Sequence, residues 1–276
     1  MANRHPSPTG ALPQITPAHQ EIVRLLVIPF LIYLAWVIEI FLLEGSRALF
    51  SAPDLLPLLL STLVGCVLTG ILVPVLVIRR SFLSGAVNMH QVGFRSLRRT
   101  AAILPLVAIP LMVLALLVTP GASRFALIYT FVLCLPTGIS AVMICWVLIG
   151  THIQAWVRAG GVVIAITTGV VMTAILFALA TRVLAPGTAA GDLLVPAILL
   201  GMITAVLFFA VRDVYAAVVV ITAGMSFLYA GSVDSARMTS SFPSVIAAAL
   251  VALAALFIVH GYFSCRYSTV IVVADR

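Results

Sequence analysis

Lysine is absent from this chain of 276 residues, and all fifteen of its basic side chains are arginine. Without lysine there is no P-loop contact to nucleotide phosphates, no Schiff base to retinal or pyridoxal phosphate, and no amine nucleophile. Charge of either sign is scarce: 8% of residues are charged, where an ordinary soluble domain carries roughly 25%. Cysteine is scarce as well. The four at positions 66, 134, 145 and 265 form no CxxC pair, three of them fall in apolar runs as small apolar side chains, and no disulfide framework follows. The histidines, His5, His19, His90, His152 and His260, fall in the leader, in loops or at a span end. A haem buried in a bundle needs axial ligands at mid-span, and zinc needs three or four ligands at workable spacing. No cofactor and no metal site is therefore expected. The HExxH, GxGD and GxSG signatures of intramembrane enzymes are also missing.

What is present in excess is apolar length. Apolar residues make up 63% of the chain, and a helix needs about 20 of them to cross a hydrocarbon core. The expected architecture is all-α, a polytopic bundle of about eight transmembrane helices in the cell membrane. The uncharged runs lie near Ile22–Leu43, Leu55–Ile78, Ala101–Thr119, Ala126–Gly150, Gly161–Thr181, Leu193–Val211, Val214–Gly231 and Ser244–Gly261. Residues 1–21 form a polar leader, 22–261 the transmembrane domain and 262–276 a tail. The sixth and seventh runs are separated only by Arg212 and Asp213, without a glycine or proline. As one helix, residues 193–231 would extend roughly 58 Å, about twice the hydrocarbon thickness, so a tight hairpin is required. With eight spans and the N-terminus inside, eleven arginines are cytoplasmic and four, Arg47, Arg124, Arg182 and Arg237, lie outside. This asymmetry favours both termini inside.

Ionisable groups at mid-span usually mark ion or proton paths, and none is found here. Glu39 is the only acid within a span and sits near its outer end, beside Trp36. Arg212 and Asp213 are read as the solvated or mutually paired tip of a hairpin. The polarity left at mid-depth is neutral. Pro136, Thr137 and Gly138 fall at the middle of the fourth span, where proline removes a backbone hydrogen bond and glycine lets the chain leave helical geometry. A helix break at bilayer depth is expected there, of the kind transporters use to bind substrates. Thr62 and Thr69 in the second span and Thr167 and Thr168 in the fifth lie at similar depth and join it as a candidate pathway. Packing and cross-helix hydrogen bonds account for the same residues.

The loop spanning residues 79–100 carries Arg79, Arg80, Arg95, Arg98 and Arg99. Between Phe82 and Arg99 its apolar residues gather on one helical face, with Val92 the exception, which predicts an amphipathic helix on the inner leaflet. Its arginines would meet anionic lipid head groups or an acidic protein partner; no nucleic-acid partner is expected. The C-terminal run Tyr267–Val273 is too short to cross the bilayer and reads as a strand donor, a helix continuation or a frayed end.

Three functions fit these features. The first is a permease-like or translocation component for an uncharged or lipid-like substrate, driven by a partner at the arginine-rich loop. The second is a non-catalytic subunit or scaffold, which predicts a tightly packed bundle and tolerance of Thr137→Val and Gly138→Ala. The third is an interfacial lipid-processing enzyme using Arg212, Asp213, His152 or His260, which requires those groups to converge within hydrogen-bond reach.

Overall fold

The computed structural model describes residues 23–44, 55–85, 87, 89–118, 123–184, 193–229 and 238–274. Every regular element among them is helical, which follows from chemistry: in hydrocarbon each backbone N–H and C=O must be satisfied within its own segment. Eight long helical segments result: α1 (residues 23–44), α2 (Leu55–Leu83), α3 (Leu97–Val118), α4 (Arg124–Gly160), α5 (Val162–Leu184), α6 (Leu194–Val211), α7 (Val214–Tyr229) and α8 (Met238–Ala274). They coincide with the eight apolar runs. Six are long and apolar enough to cross a membrane, and α7, with 16 residues, is shorter. The chain is an all-α, multi-pass membrane bundle.

The helix α4 is its axis. It runs 37 residues without interruption, about 55 Å at 1.5 Å per residue, and so continues well past the expected end at Gly150. Its neighbours α1, α2, α5, α7 and α8 enclose it. Trp146 packs on Phe177 of α5 at 5.4 Å between ring centres, and Tyr129 shares a 2.7 Å hydrogen bond with Ser241 of α8. Membrane helices gain little from a hydrophobic effect between them, so close approach and such bonds hold the bundle together. Gly138 shows why: a Cβ there would overlap the Thr222 hydroxyl of α7.

The expected break at Pro136 does not occur. The α-helical part of α4 continues from Arg124 to Ala141 and passes into a π-helical stretch, Val142–Gly150. Proline deletes one N–H but leaves the chain free to stay helical when surrounding helices confine it, and Pro136 is buried among them. A second π-helical stretch, Thr62–Leu72, lies in α2. Similarly, α8 carries helical structure on to Ala274, so the Tyr267–Val273 run continues a helix.

The amphipathic helix expected over Phe82–Arg99 also fails to form as one unit. The helix α2 absorbs residues up to Leu83, a single turn spans Met89–Val92, and α3 takes over at Leu97. Gly85 and Gly93 interrupt it with φ of 72° and 87°, in the left-handed region that glycine alone enters without cost. Val92, off the predicted apolar face, is in fact 2% exposed, because the segment folds back onto the bundle instead of lying on a leaflet.

Candidate functional site

Three places in the bundle gather chemistry. The first is the mid-span neutral cluster. Thr62, Pro136 and Thr137 line one small cleft with Ser61, Cys66, Ser140 and Trp36, between α1, α2 and α4. Its free volume is about 20 Å³, room for a single water molecule. Thr69 is half-buried and does not line it, Thr167 is exposed on the outer surface of α5, and Thr168 is half-buried beside it. Gly138 is spent on the close contact with α7. The sequence brings together a pathway of seven residues; the fold brings only three of them to one cavity. The hydroxyls are largely satisfied by their own helices. Thr62 donates to Leu58 O at 2.8 Å, Ser140 to Pro136 O at 2.9 Å and Thr173 to Gly169 O at 2.8 Å. Such back-bonding to the carbonyl four residues earlier competes with cross-helix bonding.

The second place is the end of the bundle that carries most of the arginines. The hairpin between α6 and α7 turns at Arg212, which takes the left-handed conformation (φ 55°) normally left to glycine, and Asp213 then caps α7. Asp213 Oδ1 accepts from the Ala216 N–H at 2.9 Å, the usual N-cap arrangement. Its Oδ2 accepts from the Thr100 hydroxyl at 2.6 Å, tying the start of α3 to the hairpin. Asp213 is 1% exposed and is the only charged residue buried among the described ones. Arg212 turns away from it. Its guanidinium donates to Gln91 O at 3.1 Å and Gln154 Oε1 at 2.7 Å and lies over the rings of Phe208 and Phe209. Burial, and after it the nearby Arg95 cation, pull the Arg212 pKa down to about 10, so the side chain is still charged at neutral pH. The solvated or mutually paired hairpin tip expected from sequence is thus corrected: each residue is drawn to partners contributed by other helices.

The same end seats His152 and His260. His152 is buried in α4. Its Nδ1 lies 2.7 Å from Leu148 O, which can only accept, so Nδ1 carries the proton and Nε2 accepts from the Ser81 hydroxyl at 2.8 Å. His260 of α8 sits against Phe94 and Tyr215, at 6.0 and 5.5 Å between ring centres. The four groups of the enzyme reading share one end of the bundle, where Arg212 bonds to Gln154, Asp213 to Thr100 and His152 to Ser81. Around them Arg79 and Arg95 are half-buried and Arg80, Arg98 and Arg99 exposed, with Arg99 donating to Val211 O at 3.3 Å. Glu39 is half-buried on α1.

The third place was not foreseen from sequence. The helices α3 and α4 both lean on α7 but scarcely touch each other, and a wedge opens between them with a free volume of about 290 Å³. The floor is α7, through Val219, Ala223, Ser226 and Phe227; Ala108 and Met112 form one wall, Leu127 and Phe131 the other. Ser226 is the sole polar residue in the lining, and its hydroxyl donates to Thr222 O at 2.6 Å. In volume the wedge falls just short of the smallest small-molecule sites, about 300 Å³. No sequence signal could have marked it, since residues lining an apolar wedge are of the same types as residues facing lipid. Comparison with protein families, curated proteins and solved structures finds no match to this chain.

Proposed function

We propose that this protein is a lipid-handling translocation component of the cell membrane, with both termini inside, which engages its substrate sideways from the bilayer. The observation that carries this reading is the apolar wedge between α3 and α4. It lies within the span and opens to hydrocarbon, so the molecules with free access to it are lipids and lipid-like compounds. The mid-span cleft, with room for one water, offers a polar solute no comparable space. The reading narrows a permease for uncharged or lipid-like substrates to its lipid branch. It leaves the exposed Arg80, Arg98 and Arg99 as the surface for a cytoplasmic partner or for anionic head groups. The test is transbilayer movement of a fluorescent phospholipid in proteoliposomes. Purified protein is expected to speed it over protein-free vesicles, and Met112→Trp, which fills the wedge from its exposed wall, to abolish the gain. A rate equal to that of empty vesicles overturns the proposal.

One observation favours a second reading, a non-catalytic subunit of a larger complex. The axial helix α4 has no exposed residue between Tyr129 and Gln154, as in a rigid core built to present a surface. Co-purification of a stoichiometric membrane partner, together with no lipid movement, would select it.

A further inference from the structure

Near the mouth of the wedge stands a cation with no counter-ion among the described residues. Arg124 opens α4, is exposed, and makes no hydrogen bond or ion pair with any described residue. Leu127 and Ile128, which line the wedge wall, follow it by three and four positions, the spacing that stacks side chains on one helical face. One turn of helix, about 5.4 Å, therefore separates the guanidinium's anchor point from the apolar wall. The position adds to the charge. Ser123 caps this helix, accepting from the Ala126 N–H at 3.0 Å, and the first turn of a helix carries the positive end of its dipole. Leu127 to Phe131 lie within two turns of that end, so the wedge occupies the same half of the bundle as Arg124, away from the arginine-rich end. An apolar slot within the span and an exposed cation one turn toward the membrane surface are the two halves of an anionic lipid's chemistry.

We propose that the wedge between α3 and α4 is a binding site for an acyl chain of an anionic phospholipid, whose phosphate is held by Arg124. This deepens the lipid-handling reading and rests on the wedge being the place where lipid is engaged. The chain lies along Ala223 and Phe131 with its methyl end toward mid-membrane, and the long aliphatic stem of Arg124 lets the guanidinium rise to the head-group level. One arginine near a membrane surface favours an anionic lipid by about 1 kcal/mol, which is roughly a five-fold preference.

The test uses the full chain in mild detergent with two photoactivatable lipids of identical diazirine-bearing chains, phosphatidylglycerol and phosphatidylcholine. Cross-links are mapped by mass spectrometry, and the wild type is compared with Arg124→Gln and Met112→Trp, each verified as a folded species by size exclusion. The expected result is adducts on the peptides around Met112, Phe131 and Ala223, about five-fold more from phosphatidylglycerol. In Arg124→Gln that preference falls to parity while the adducts stay in place, and in Met112→Trp the adducts are lost. Adducts in the wedge without a head-group preference, or with a preference that survives Arg124→Gln, overturn the role of Arg124 and leave the lipid-handling reading intact. Labelling of the wedge no stronger than that of the outer face of α5 overturns both.

Discussion

Replacing Asp213 by alanine is expected to destabilise the bundle by about 2–4 kcal/mol. Two bonds are lost at once. The N-cap to Ala216 is worth about 0.5–2 kcal/mol, and a hydrogen bond to a charged acceptor, here from Thr100, about 1.5–3 kcal/mol. Thr100 is itself 4% exposed, so its hydroxyl would be left buried with no acceptor from the hairpin. Asparagine caps a helix nearly as well as aspartate and keeps an oxygen for Ala216, so Asp213→Asn should cost about 1 kcal/mol. Thr100→Val in the Asp213→Ala background should add little, because the bond it removes is already gone. The cycle over the two sites should give a coupling of about 1–2 kcal/mol. The assay is equilibrium unfolding in mixed detergent micelles followed by tryptophan fluorescence, since Trp36 and Trp146 are both buried. An Asp213→Ala variant within about 0.5 kcal/mol of wild type, or a cycle that is simply additive, would refute the idea that this carboxylate latches α3 to the α6–α7 hairpin.

Gly138→Ala is expected to be poorly tolerated, against the scaffold expectation, at about 1–3 kcal/mol; Thr222→Ala, which removes an unbonded hydroxyl, should restore most of it in the same unfolding assay. Gly93→Ala combines a φ of 87° with a Cβ only 2.9 Å from the Phe208 ring and should lower stability by about 1–3 kcal/mol; wild-type stability would show that the 89–96 segment is not clamped to α6. Thr167→Val, on the exposed face of α5, should change neither unfolding nor lipid movement, and a loss of transport there would revive the mid-span pathway. With both termini inside, single cysteines at Arg98 and Arg124 in a Cys265→Ser background should react with a membrane-impermeant maleimide from opposite sides; labelling from the same side would reverse the expected topology.

Composition and the length of the apolar runs set the class of molecule and the places where its helices run. Hydrocarbon thickness sets a minimum apolar length and forbids unsatisfied backbone, so uncharged runs place the helices. The charged pair Arg212 and Asp213 between two such runs divides α6 from α7, since length alone does not end a helix and α4 continues for 37 residues. The same reasoning failed where a decision depended on neighbours. Pro136 and Gly138 look like a break in isolation, yet enclosing helices keep α4 continuous. Thr62 and Thr167 are alike in composition and depth, but one faces a cleft and the other the outside. Asp213 finds its partner 113 residues away in Thr100, and Val92 is buried by a fold-back that local periodicity cannot see. The wedge was decided by tertiary structure alone. In a membrane, side chains that line a cavity and side chains that face lipid meet the same apolar solvent, so composition and period read identically, and only the way α3 and α4 lean on α7 tells them apart.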